Sequence, residues 1–556
     1  MEQADDRLDH AAWPVRALIL AGLGAVSGFA FYHLTNGDQS ELDGALAALV
    51  AVFGIALAFS LERLRWQWSV VFSAAGAVIA ALIAWWNGSP GGWNADAGWH
   101  FAASVAAVAI AVPLFQAARD EGRLRLVPAA VHAHAWTNVI LGGAAIAFTG
   151  ATMLLAFLLS ELFGLIGVDF LRDLLRHGDF STGLACGALG GAVGLLRDRD
   201  VVTSVLQRVG RTILSVLAPV LALGLVFFVL ALPFTGLDAL WQQTKETTPI
   251  VLACMLGAVI LANATTGNSA AEEAKAPVLR WSAMALMATT VPLALVAAIS
   301  TGKRIGQYGF TPDRLWAAVF VAAALAVAIG YGLALVIGKR GWPERLRSTN
   351  VRLAAGLCLL ALFLALPILN FGAMSTRDQL ARLESGKVAP ARFDWRALHF
   401  DFGPEGRRAL EKLARAGAYK AYAAQALAAE KPWDLPEPDL APLRPARVQV
   451  DGGEAVSADL MATIEATRRC NGEHDVCRLV PLAPDQAVLL SAACADCGPF
   501  PVVLERGPDG RWTQSGSQAE KVTTDPVVTP TAKVEVCTIS KRQVYVDGKP
   551  VGEIFD

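Results

Sequence analysis

The sequence predicts an all-α polytopic membrane bundle of about eleven transmembrane helices, followed by a C-terminal helical extension and a small α/β soluble module. Three observations carry that expectation. Apolar runs of spanning length recur between residues 15 and 371. Acids and bases in that stretch fall almost entirely between the runs, as expected if a charge at mid-bilayer costs at least about 3 kcal/mol. The apolar signal then ends, and residues 372–556 are polar and hold five of the eight cysteines. The whole chain of 556 residues is 54% hydrophobic and 17% charged, whereas soluble proteins carry roughly 25% charged residues. Its formal net charge of −2 offers no basic excess for nucleic acid. The bilayer is the partner that composition identifies.

The first run, Val15 to Leu34, is followed by Asn36, Gly37 and Asp38. It is too long, and ends in the wrong residues, for a secretory core, and reads as the first span. The others fall near 42–60, 69–86, 99–117, 137–160, 181–196, 212–234, 249–267, 281–301, 315–337 and 351–371. Each is near the twenty residues a helix needs to cross about 30 Å. The run at 181–196 is short and contains Gly187 to Gly194, rich in Gly and Ala. Close helix packing is its plainer reading, and an unwound ligand-binding segment the sharper one. Pro219 and Pro292 are expected to kink two spans.

Alternate loops differ in charge. With the N-terminus (1–14) inside, the inner loops hold Arg63, Arg65, Arg119, Arg123, Arg125, Arg197, Arg199, Arg208, Arg211, Lys275, Arg280, Lys339, Arg340, Arg345, Arg347 and Arg352. The outer loops hold only Arg172, Arg176, Lys245, Lys303, Arg304 and Arg314. This positive-inside asymmetry predicts a bacterial inner-membrane protein with a cytoplasmic N-terminus and a periplasmic C-terminus. Tryptophans at the run boundaries, such as Trp66, Trp68, Trp85 and Trp86, suit an interfacial belt.

The tail is expected in three parts. Residues 372–430 read as an extracytoplasmic helical extension, with Glu405 to Ala429 its clearest helix, opened by Pro404. Residues 431–446, with five prolines, read as a stiff linker. Residues 447–556 read as the α/β module: strands at 447–450, 476–482 and 487–493, a helix at 458–469, and hairpins at 502–513 and 534–554. Its cysteines are Cys470, Cys477, Cys494, Cys497 and Cys537. An oxidising compartment favours the disulfides Cys470–Cys477 and Cys494–Cys497, leaving Cys537 over. A four-thiolate zinc site and a redox Cys-x-x-Cys are the alternatives. The six-residue gap between the first two cysteines is wide for zinc, and Gly498-Pro499-Phe500-Pro501 opposes the helix that a redox motif opens. Cys186, Cys254 and Cys358 lie within spans and read as packing residues.

No P-loop, HExxH, GxSxG or dinucleotide fingerprint is present, so no cofactor, metal or catalytic residue is assigned. Two polar clusters remain on the expected outer face. The first, Gly302 to Trp316, offers Lys303, Arg304, Gln307, Tyr308, Asp313 and Arg314 as an anion or lipid-headgroup site. The alternative is a turn with solvated charges, with Thr311 and Pro312 opening the next helix. The second, Glu161 to Phe180, reads as an interfacial helix, in which His177 with Asp173 or Asp179 would be the only acid–base pair. On the inner face, His132 and His134 lack a nearby carboxylate or cysteine for metal binding.

The string Tyr308-Gly-Phe-Thr-Pro-Asp-Arg-Leu-Trp316 resembles the loop of bacterial membrane proteins grouped as domain of unknown function 4153, whose members carry a similar Tyr-Gly-Leu-Thr-Pro-Glu-Arg-Tyr-Trp. Further similarity runs through Ser375 to Leu383, Gly386-Lys387, Phe393-Asp394-Trp395, Leu398 to Phe402 and Gly406-Arg407 to Leu413. The resemblance spans about residues 15–430 and departs at Phe310, Asp313 and Leu315. It implies a polytopic inner-membrane protein with an outer helical extension, and no activity. Three functions fit: an envelope anchor displaying the module to an envelope protein, a transporter or channel-like protein for a neutral or lipid-like solute, or an enzyme acting on an outer-leaflet lipid or glycan precursor. The thin inventory of mid-span polar residues disfavours an ion-coupled carrier, and the absence of a reactive cluster favours the anchor.

Overall fold

The computed structural model describes residues 13, 15–37, 40–87, 97–243, 247–435, 448–451, 456–466, 470, 476–492, 500–507, 510, 512–515, 542–546 and 549–555. The chain divides into two compact units, Met1–Pro438 and Asp439–Asp556.

Unit one begins with α1 (Val15–Thr35), α2 (Glu41–Ser60), α3 (Trp66–Asn87), α4 (Ala97–Glu121) and α5 (Pro128–Leu165). After a short α6 (Phe170–Arg176) come α7 (Gly178–Arg197), α8 (Asp200–Gln243), α9 (Thr247–Thr266), α10 (Pro277–Tyr308), α11 (Pro312–Gly338) and α12 (Trp342–Ala365). Ten helical stretches are long and apolar enough to cross a membrane. The last of these, Pro312–Ala365, is a hairpin of α11 and α12 broken at Lys339–Gly341, so the ten stretches comprise eleven long helices among the described residues, consistent with the bundle of about eleven expected.

The main departures have local causes. The helix predicted across 161–180 is divided: α5 continues to Leu165, Gly167 turns the chain at φ 78°, and α6 has seven residues. The last span ends at Ala365, not residue 371, because Leu366 precedes Pro367 and is extended at ψ 147°. Within α8 the break comes at Gly236 (φ 72°), while Pro219, where a kink was expected, has helical backbone.

Large apolar side chains such as Ile146, Val220 and Phe227 point outward, as a lipid-facing surface does. The interior is built largely from small residues. Along α7 the Gly-rich run forms an unbroken helix packed on α1. A Cβ at Gly190 would meet the Leu20 carbonyl, and one at Gly28 would lie 2.7 Å from the Thr182 carbonyl. Close packing, not unwinding, is what that run encodes.

Helix ends segregate by charge. At one end Glu62 accepts from Arg16 (2.6 Å) and Arg197, while Arg119 reaches the Ser60 carbonyl. Arg211 pairs there with Glu272, and Arg347 with Glu273 (2.9 Å). This is the basic face. The opposite end carries the extension: α13 (Phe371–Glu384), α14 (Trp395–Phe400), α15 (Gly403–Arg415) and α16 (Lys420–Ala428). The single helix expected over 405–429 is two, divided at Gly417 (φ 107°). They close on Leu383, Trp395, Leu398, Phe402 and Leu410.

Unit two has a five-stranded sheet in the order β1 (Gln449–Val450), β2 (Val476–Ala483), β3 (Gln486–Ala492), β4 (Phe500–Arg506), β5 (Trp512–Ser515). Only β1–β2 is parallel. In register, Leu479 faces Leu489, which faces Val502, so one sheet face is buried under α17 (Ala458–Ala466) through Leu460 and Ile464. A separate antiparallel pair joins β6 (Arg542–Val546) to β7 (Lys549–Phe555). Pro436, Pro438, Pro442 and Pro445 of the predicted linker, Pro508 and Asp509 of the first predicted hairpin tip, and Asp547 and Gly548 of the second lie outside the described residues.

Candidate functional site

The cluster around Tyr308 begins as the end of a helix. Helix α10 runs through Lys303, Arg304 and Gln307 to Tyr308, leaving only Gly309–Thr311 as the turn. Every helix end exposes carbonyls without an intrahelical partner. Here the extension supplies the donors. Arg382 donates to the carbonyls of Gln307 (3.2 Å), Ile305 (3.2 Å) and Gly306 (3.3 Å). Gln379 donates to Tyr308 O (2.9 Å) and Phe310 O (3.0 Å). Asp378 accepts from Phe310 N (2.8 Å) and from Arg382 Nε (3.1 Å).

The turn closes on itself as well. Arg314 donates to Gly309 O (3.1 Å) and lies 5.2 Å from the centre of the Tyr308 ring. Thr311 caps α11, accepting from Arg314 N (3.4 Å). Of the six residues proposed as an anion site, Arg314 is thus directed at backbone, while Lys303, Arg304, Gln307, Tyr308 and Asp313 are exposed. The arrangement is a clasp that fastens α13 to the bundle. Asp378, Gln379 and Arg382, its principal donors and acceptor, had no role at the level of sequence; their spacing on one face of α13 was the available signal.

Past the turn, Trp316 is buried and packs on Phe371 (5.3 Å) and Trp99 (5.5 Å). It also meets the edge of His100 (5.9 Å). The His100 Nδ1 lies 2.6 Å from Leu364 O, and Nε2 has no hydrogen bond among the described residues. His100 lines a cavity of about 270 Å³ with Trp86, Asn370, Phe402, Glu405 and Arg408. Glu405 and Arg408 pair at 3.0 Å on the first turns of α15. Sequence reasoning missed this pocket, since its walls come from α3, α4, α13 and α15.

The Glu161–Phe180 cluster forms no acid–base pair at His177. Its Nδ1 lies 2.7 Å from the Asp173 backbone carbonyl. Asp179 lies 3.6 Å from His33, and Arg172 binds Glu161 (3.0 Å) and Asp169 (3.1 Å). On the basic face the two histidines diverge. His134 Nε2 lies 2.8 Å from Asp120, whereas His132 is buried beside α12. Among the described residues no group of three His, Cys, Asp or Glu could hold a metal.

Between spans, Asn263, Tyr331 and Asn350 close a ring of hydrogen bonds that joins α9, α11 and α12. Asn263 donates to Tyr331 Oη (2.7 Å), Tyr331 to Asn350 (3.0 Å), and Asn350 back to Asn263 (2.6 Å).

In unit two, Cys470 and Cys477 form a disulfide, with Cα atoms 5.9 Å apart. That removes two of the four thiolates the zinc reading needed. Cys494, Cys497 and Cys537 lie outside the described residues.

A family model described as Domain of unknown function (DUF4153) matches residues 45–413, a stretch that includes the clasp and the His100 pocket. No curated protein and no solved structure matches the chain.

Proposed function

This chain belongs to the DUF4153 family, and from that premise we propose that it is an inner-membrane envelope anchor, N-terminus cytoplasmic, that presents its C-terminal module in the periplasm. The clasp carries this reading. Arg382, Gln379 and Arg314 direct their donors at backbone carbonyls of the turn, which fixes a helical platform to the bundle. The charge asymmetry of the loops supports the orientation, and the Cys470–Cys477 bridge suits an oxidising compartment.

The test removes Asp439–Asp556. Loss of the cellular phenotype, with the bundle still inserted at normal abundance, is the expected result; full function without the module sinks the display role. A reporter fused after Asp556 should be active only outside the cytosol. A second reading is binding of an outer-leaflet lipid or glycan precursor, and the His100 pocket favours it. In the same assay, a null phenotype from His100→Ala at normal abundance would move the function from the module to that pocket.

A further inference from the structure

A second cavity, of about 330 Å³, opens between α5, α9 and α12 on the basic face. We infer that it is a binding groove for one anionic phospholipid of the adjoining leaflet, which goes beyond the display role and does not depend on it. The walls are Val131, Trp136, Val139, Val259, Val351 and Ala354, so they accept a hydrocarbon chain.

The polar end differs in kind. His132 is 8% exposed, lines the groove, and has no hydrogen-bond partner among the described residues. The charges of Arg347, Arg211 and Glu272 all act on it. Arg211 Nε and Asn268 Oδ1 are buried polar atoms without partners. Each such atom costs free energy unless something completes it. Arg347 is already engaged by Glu273 and the Thr266 carbonyl, and the Asn263–Tyr331–Asn350 ring is satisfied internally. Arg211 is likewise engaged, by Glu272 through Nη1, so the unmet polar group on the groove wall is His132.

Depth and charge select the occupant. At 1.5 Å per residue, His132 lies about 6 Å and Val139 about 16 Å from the start of α5. That span matches one leaflet, half of a hydrocarbon core about 30 Å thick. Segments 208–211, within α8, and 267–280 and 339–352, which join helices, carry nine Lys or Arg against three Glu. An anionic headgroup at the His132 end, where the charges of Arg347 and Arg211 act, with one chain along the groove, meets both halves of the site.

The full-length protein would be reconstituted in phosphatidylcholine vesicles with or without phosphatidylglycerol, then extracted, and its retained lipid counted by native mass spectrometry. Wild type should retain phosphatidylglycerol over phosphatidylcholine by about tenfold. Val259→Trp, which fills the apolar wall, should abolish retention of both. Arg211→Gln should abolish the preference. Equal retention of both lipids by wild type overturns the proposal, as does undiminished retention by a Val259→Trp protein that melts like wild type. An unchanged preference in Arg211→Gln overturns the headgroup assignment. Should Val259→Trp fail to fold, Ala354→Phe on the opposite wall is read in the same way.

Discussion

Gly309 carries two demands at once. Its φ of 80° and ψ of −175° are open only to glycine, and a Cβ there would lie 2.6 Å from Gln379 Nε2 as well as against Arg382 and Asp378. Gly309→Ala should therefore loosen the extension by about 2 kcal/mol, seen as faster proteolysis of residues 371–435. Arg382→Met leaves three carbonyls uncapped and should cost about 2 kcal/mol, read as a lower melting temperature. Wild-type stability in both variants would reduce the clasp to an incidental contact. His399 and Asp401 give the extension a pH response. Burial, then Arg407, lowers the His399 pKa, while the Ala429 carbonyl opposes them. Burial, then Asp394, raises the Asp401 pKa, with Asp313 adding and Arg396 opposing. A histidine lowered on folding binds fewer protons than the unfolded chain, so its contribution is present above the ordinary histidine range and lost as pH falls through it. A raised carboxyl has the reverse sign, losing stability as pH rises above the ordinary carboxylate range. The His399 share should appear as a loss of amide protection in α14 and α15, after correction for the intrinsic pH dependence of exchange, as pH falls through the ordinary histidine range at about 6.5, and His399→Gln should remove that share.

At the scale of elements, α1 and α7 make the tightest helix pair, because Gly24, Gly28 and Gly190 let the backbones approach. Gly190→Val would force a side chain against the Leu20 carbonyl. Overpacking of this kind costs about 1–3 kcal/mol, and the detergent-solubilised protein should melt several degrees lower. An unaltered melting temperature would mean the pair can separate without loss. The elements were also the most legible feature of the sequence. All the spans were readable from hydropathy, since a lipid-exposed helix needs an apolar run of fixed length. Their ends were not. The extension of α10 to Tyr308 and the early stop of α12 at Ala365 depend on Gly309 and on Pro367, local features that hydropathy averages away. The break at Gly417 was missed for the same reason.

Across the whole molecule, two compact units predict independent unfolding. Removing Asp439–Asp556 should leave the melting temperature of unit one unchanged; a large drop would show that the module stabilises the bundle. The helix bundle, the charge segregation of its loops and the polar tail follow from the sequence alone, because bilayer insertion is decided by each segment's own apolarity and flanking charge. The sites do not. The clasp unites residues 305–314 with 378–382, the His100 pocket unites four helices, and the Asn263–Tyr331–Asn350 ring unites three more. Tertiary structure alone decided which polar groups meet, since hydrogen-bond partners and cavities arise between segments distant in sequence, whereas hydropathy is a property of each segment by itself.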